Sequence, residues 1–215
     1  MAEDLELDIK LWRGLEYWKT GEWQVIDEKL QGAGWNPGRK NLFRAMDLTP
    51  LEEVKVCILG QDPYPDPEFA TGLAFDIGSN PVYPPSMRTI LKELKNDLEI
   101  AHTGNLEGWA KQGVFLWNCV PSCEKGVSLS HDWTEWAPLT EEILVTLGSR
   151  NIVFVIVGNF AKHFRHWINE TENEVLYVAH PASRNKANSF IGSRIFSRIN
   201  DKLSELGHSS IDWRL

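Results

Sequence analysis

Asp62, Asn118 and His180 are far apart in the chain, yet each follows closely on a short apolar run. Asp62 lies in Gly60-Gln61-Asp62-Pro63-Tyr64-Pro65, where Pro63 and Pro65 restrict the backbone and hold the carboxylate in one place. A fixed carboxylate can position a water as a base or stabilise a developing cation, but an Asp in a turn equally often bonds its own backbone. His180, before Pro181, can donate to a growing negative charge, although a lone histidine is more often satisfied by core backbone. Asn118 offers one donor side and one acceptor side, which suits the edge of an amide-like base or the capping of a turn. Tyr64 and Phe75 are either aromatic walls for a flat ligand or ordinary core.

Other chemistries find no support. No glycine-rich phosphate cradle occurs, and Gly158-Asn159 alone is too short to be one. His163 and His166 stand three apart without a third ligand, and no serine sits in a G-x-S-x-G elbow. Cys57, Cys119 and Cys123 are an odd set without C-x-x-C spacing, which argues for reduced structural thiols. Neither a metal nor another cofactor is expected.

The candidate residues need elements to carry them. Four apolar runs, 54–59, 114–117, 152–157 and 175–179, read as buried strands, three of them rich in Val and Ile. Helical patterns fall at 86–100, 138–147 (with Pro138 in its first turn), 160–168 and 193–206, the last stopping at Gly207. Stretches 5–18 and 23–30 are further helix candidates. Alternating strands and helices predict a three-layer α/β/α sandwich around a central, mainly parallel four-stranded sheet. Ligands of such sheets sit at the carboxyl ends of the strands. The residues after the four runs, Gly60 to Pro65, Asn118, Gly158-Asn159 and His180-Pro181, should therefore meet in one cleft.

The 215 residues suit one domain, 1–215, with no linker-like stretch in the middle. No run is long enough to span a bilayer, and Met1-Ala2-Glu3-Asp4 does not open like a signal peptide. An intracellular, cytoplasmic protein is expected, or one of the host cytoplasm or nucleus were the source viral or eukaryotic. A net charge of −8 speaks against a polyanionic partner. The average conceals acid-free stretches: 181–200 carries Arg184, Lys186, Arg194 and Arg198, and 150–169 carries Lys162 and Arg165. On charge alone these are solvated surface.

Gly60-Gln61-Asp62-Pro63-Tyr64, followed by Gly72-Leu73-Ala74-Phe75, strongly resembles the water-activating region of the family 1 uracil-DNA glycosylases. Five more segments resemble that family in the same order: Pro84-Pro85-Ser86; 108–114 leading into Leu116-Trp117-Asn118; Gly158-Asn159; Ala179-His180-Pro181; and Ile211-Asp212-Trp213. The match spans residues 54–213, and its first motif is highly specific.

The resemblance implies a monofunctional hydrolase that flips uracil from single- or double-stranded DNA and cuts its bond to the sugar. It assigns Asp62 to the hydrolytic water and the oxocarbenium-like sugar, and His180 to the uracil oxygen that gains charge. Asn118 would read the uracil edge, Phe75 would stack on its face, Tyr64 would exclude the thymine methyl, and Gln61 would act through its backbone. Pro84, Pro85, Ser86, Gly158, Asn159 and Ser183 would contact DNA, chiefly its phosphates. It further implies a monomer that some protein inhibitor can block, with no membrane partner. Two departures stand out. His180-Pro181-Ala182-Ser183-Arg184-Asn185 replaces the family's usual His-Pro-Ser-Pro-Leu-Ser, so Arg184 stands where an apolar wedge enters the base stack. Pro65 stands where histidine is frequent. The competing readings are a DNA-binding module of related fold, disfavoured by Asp62, Asn118 and His180 occurring together, and a thymine-mismatch glycosylase, disfavoured by Tyr64 and by an acid at 62. Iron–sulfur glycosylases are disfavoured by the cysteine count.

Overall fold

The computed structural model describes residues 12–32, 34–183 and 189–215. In chain order these form α1 (Glu22–Lys29), β1 (Trp35–Asn36), α2 (Arg44–Leu48), β2 (Val56–Gly60), α3 (Pro85–Leu98), α4 (Glu107–Ala110) and β3 (Val114–Asn118). There follow β4 (Cys123–Glu124), α5 (Trp133–Leu147), β5 (Val153–Val157), α6 (Gly158–Ala161), β6 (Glu174–Val178) and α7 (Ile195–Glu205). No described helix is long and apolar enough to cross a membrane.

Strands β3-β2-β5-β6 make a four-stranded sheet in which every pair is parallel. Strands β2, β3 and β5 have every residue buried, whereas β6, at one edge and also expected to be buried, is partly exposed. Full burial explains why those three read as unbroken apolar runs rather than alternating ones. Successive side chains point to opposite faces. Ile58, Leu116 and Val155 meet residues of α3 and α7 on one face. On the other, Phe115 stacks on Trp12 with ring centroids 4.6 Å apart, and Trp117 donates from Nε1 to Thr140 of α5 at 3.0 Å. Helices thus cover both faces, giving the three layers. The buried apolar side chains form a connected core from Trp12 to Trp213.

Register brings the carboxyl ends of the strands to one edge, because Gly60 pairs with Asn118 and Val157 with Val178. A small antiparallel ribbon, β1 with β4, lies outside the main sheet. Its Asn36 donates from Nδ2 to the carbonyls of Tyr64 (3.1 Å) and Pro65 (2.7 Å), pinning the loop after β2.

Several elements differ from expectation. Helix α5 begins at Trp133, not at Pro138, because Asp132 caps it by accepting the Thr134 N–H at 2.9 Å. Pro138 lies inside the helix, where it removes one backbone donor. The stretch 160–168 is not a continuous α-helix: the single turn α6 tightens into a 3-10 segment, Lys162–Trp167. The described part of 5–18 contains only a turn and a 3-10 helix, Glu16–Trp18, and residues 5–11 lie outside the described residues.

Candidate active site

The loop after β2 and the ends of β3 and β6 enclose a cleft of about 370 Å³. Gln61, Asp62, Tyr64, Phe75, Pro84, Pro85, Ser86, Asn118 and His180 all line it. Gln61, Asp62, Tyr64, Asn118 and His180 meet there as the strand-end rule predicts, whereas Gly158, Asn159 and Pro181, expected in the same cleft, do not line it.

Asp62 is held from several sides. Its Oδ2 accepts from the Ser128 hydroxyl at 2.6 Å and from the Leu129 N–H at 2.7 Å, while Oδ1 accepts from Gln61 Nε2 at 3.0 Å. The bonds to Ser128 and Leu129 exclude the reading of Asp62 as a residue bonded only within its own turn. The Gln61 carbonyl accepts from the Val120 N–H at 2.9 Å, tying the loop to the chain beyond β3.

Tyr64 places its hydroxyl 2.7 Å from Ser86 Oγ and donates to the Phe75 carbonyl at 3.2 Å. Burial, slightly offset by the Ser86 bond, pushes its phenol up to about 12, so the ring is a neutral wall. Phe75 sits at φ 66°, in the left-handed region that a bulky side chain seldom adopts. Such strain persists only where the surroundings impose it. Here the adjoining Ala74 N–H donates to the Leu116 carbonyl at 3.1 Å. Asn118 is buried, and its side-chain amide has no hydrogen-bond partner among the described residues. A buried amide with open donor and acceptor sides is equipped to read a ligand edge.

His180 Nδ1 accepts from the Ala182 N–H at 3.1 Å, which leaves the ring proton on Nε2. Burial lowers its pKa below the ordinary value, against an upward pull from the Asp62 charge. The imidazole is therefore neutral near pH 7 and available as an N–H donor. Its ring lies 5.9 Å from that of Phe75.

Gly158, Asn159 and Ser183 line a neighbouring hollow of about 170 Å³, with His180 shared between the two. Gly158 has φ 81°, and a Cβ there would lie 3.1 Å from the His180 Cβ. Lys162 also lines this hollow and donates from Nζ to Asn159 Oδ1 at 3.2 Å. Arg165, in the same acid-free stretch, is instead paired with Glu170. Arg184 lies outside the described residues.

Sequence reasoning missed three contributors. Ser128 carried no signal, being one polar residue in a turn-like stretch. Lys162 counted only as charge. Gly60 belonged to the motif, but its spatial role was hidden: a Cβ there would fall 2.4 Å from Asn118 Oδ1 and 3.4 Å from the Phe75 ring.

A parallel α/β sheet that gathers an acid, an imidazole N–H donor and a buried amide around an aromatic-walled cleft at its strand ends is the class of protein the fold and site define. The comparisons give the family. The model of the uracil DNA glycosylase superfamily matches residues 46–204, and the chain belongs to that superfamily. It is 42% identical over 195 residues to the uracil-DNA glycosylase of Coxiella burnetii, covering 89% of this chain and 85% of that one. It is 40% identical over 195 residues to that of Sinorhizobium medicae, covering 89% and 81%. The fold matches the crystal structure of mimivirus uracil-DNA glycosylase with a TM-score of 0.83 at 24% identity, covering 97% of this chain and 85% of that one. A substituted form of the mimivirus protein, solved in complex with UGI, matches with a TM-score of 0.81 at 24% identity, covering 97% and 86%.

Proposed function

We infer that this chain is a family 1 uracil-DNA glycosylase: a monofunctional hydrolase that flips uracil out of DNA, hydrolyses its N-glycosidic bond and releases free uracil, leaving an abasic site for base excision repair. One observation carries the reading: the Asp62 carboxylate and the neutral His180 imidazole line the same cleft, together with Asn118 and the aromatic Phe75 and Tyr64. Breaking the bond leaves an electron-poor sugar and an electron-rich base. Asp62 faces the sugar and orients the attacking water; His180 donates from Nε2 to the uracil oxygen that gains charge. Asn118 pairs with the uracil edge, Phe75 stacks on it, and the Tyr64 ring fills the space a 5-methyl group would need. The Gln61 backbone completes the pocket.

Pro84, Pro85 and Ser86 on one side, and Gly158, Asn159 and Ser183 on the other, grip the DNA flanking the flipped nucleotide. Extraction costs a few kcal/mol of stacking and pairing and less from single strands, so both kinds of DNA are substrates. Arg184 takes the place of the family's apolar wedge. The connected core from Trp12 to Trp213 supports a single domain, and the protein acts as a monomer. A protein inhibitor of the UGI kind is a further partner, and DNA as substrate implies a location inside the cell.

The deciding experiment incubates the protein with single- and double-stranded oligonucleotides containing one uracil, measures free uracil, then treats the DNA with alkali. Uracil release with nicking at the uracil position is the expected result. Shifted but intact DNA would identify a binding module instead.

A further inference from the structure

We propose that Ser128 is a positioning residue for Asp62: its hydroxyl, with the Leu129 N–H, anchors Oδ2 and so dedicates Oδ1 to the water. The inference rests on the glycosylase reading and deepens it.

An ionised carboxylate offers about four lone-pair sites. Two donors at 2.6 and 2.7 Å occupy Oδ2. Among the described residues Oδ1 accepts only from Gln61 Nε2, at 3.0 Å, which leaves a lone-pair site for a water. Both Oδ2 donors come from one loop, 66 and 67 residues away in sequence, and act on the same oxygen. Charge-assisted bonds of this length are the strong class, and paired they fix the carboxylate plane as well as its place.

The loop is built to hold that position. Gly126 N–H donates to the Pro65 carbonyl at 2.8 Å, tying the loop to the segment that carries Asp62. Ser130 Oγ accepts from the Glu124 N–H at 2.7 Å and donates to the Val127 carbonyl at 2.8 Å, closing the loop on itself. Leu129 adopts φ 55°, a left-handed conformation costly for leucine, and that conformation accompanies the aim of its N–H at Asp62. Since Ser128 is exposed, its hydroxyl has water as an alternative partner, and its engagement with Asp62 is not enforced by burial.

The test measures single-turnover cleavage and uracil-DNA affinity separately. Ser128→Ala is expected to slow cleavage on the order of tenfold, the scale for one hydrogen bond to a charged group, with affinity within about twofold of wild type. Ser128→Thr, which restores a hydroxyl, should recover most of the rate. On an Asp62→Asn background, Ser128→Ala should add little, because the group it positions is already gone. A wild-type rate in Ser128→Ala, a loss confined to affinity, or full additivity with Asp62→Asn would each overturn the proposal. Failure of the glycosylase reading would look different, since the wild-type protein would then release no uracil at all.

Discussion

The hydroxyl of Tyr64 lies 2.7 Å from that of Ser86 and donates to the Phe75 carbonyl, so one phenol joins the wall of the cleft, the Phe75 backbone and the start of α3. Truncation to Tyr64→Ala should open room for a methyl group and produce measurable thymine release. Tyr64→Phe, which keeps the ring and loses both bonds, should stay uracil-specific while losing rate. Product analysis on oligonucleotides containing uracil or thymine checks both, and strict uracil specificity in Tyr64→Ala would remove Tyr64 as the barrier.

Asn118 and Gly60 are predicted to act together. Asn118→Asp should admit cytosine by changing the donor and acceptor pattern of the pocket. Gly60→Ala places a carbon against Asn118 Oδ1, so it should cripple uracil release and lower stability by about 1–3 kcal/mol, the range for overpacking. Urea denaturation and uracil release measure the two effects; a Gly60→Ala protein as stable and active as wild type would contradict the close approach.

Asp62→Asn should keep DNA affinity near wild type while slowing single-turnover cleavage by about 10²–10⁴, the range for a positioned acid–base group. An unchanged rate would take Asp62 out of the mechanism.

His180 makes a pH prediction. Burial lowers its pKa from the ordinary 6.5 in the folded protein, so the unfolded chain takes up this proton first as pH falls. The associated stability is complete above pH 6.5 and is lost as pH drops through 6.5 toward the depressed value. His180→Gln should therefore show a shallower acid-side decline in melting temperature than wild type. His131 is lowered in the same direction, also by burial, but it is present in both proteins and cancels in the difference. Identical declines would refute the assignment.

Arg184→Ala separates a wedge from a phosphate contact. As a wedge, Arg184 recovers part of the cost of flipping a paired base, so Arg184→Ala should depress activity on double-stranded DNA far more than on single-stranded DNA, and Arg184→Leu should restore it. Equal losses on both substrates, with the salt slope reduced by about one, would mark a phosphate contact instead.

The amino-acid sequence by itself determined the sheet and most of the cleft lining. Buried parallel strands must be continuous apolar runs, and ligand residues must follow their carboxyl ends, so Val56–Gly60 and Val114–Asn118 announced Asp62 and Asn118 from local pattern alone. What tertiary structure decided is how those residues are held. The bond from Ser128 to Asp62 joins positions 66 apart, and the exclusion of any side chain at Gly60 depends on Asn118, at the end of the adjacent strand β3. Ribbon strands of two residues are too short to show a period, and Pro138 looked like a helix start because the capping bond at Asp132 lies outside its own turn. Periodicity and punctuation are properties of neighbours in sequence. Hydrogen bonds to a carboxylate and close approaches to a glycine are properties of neighbours in space, and only packing brings those together.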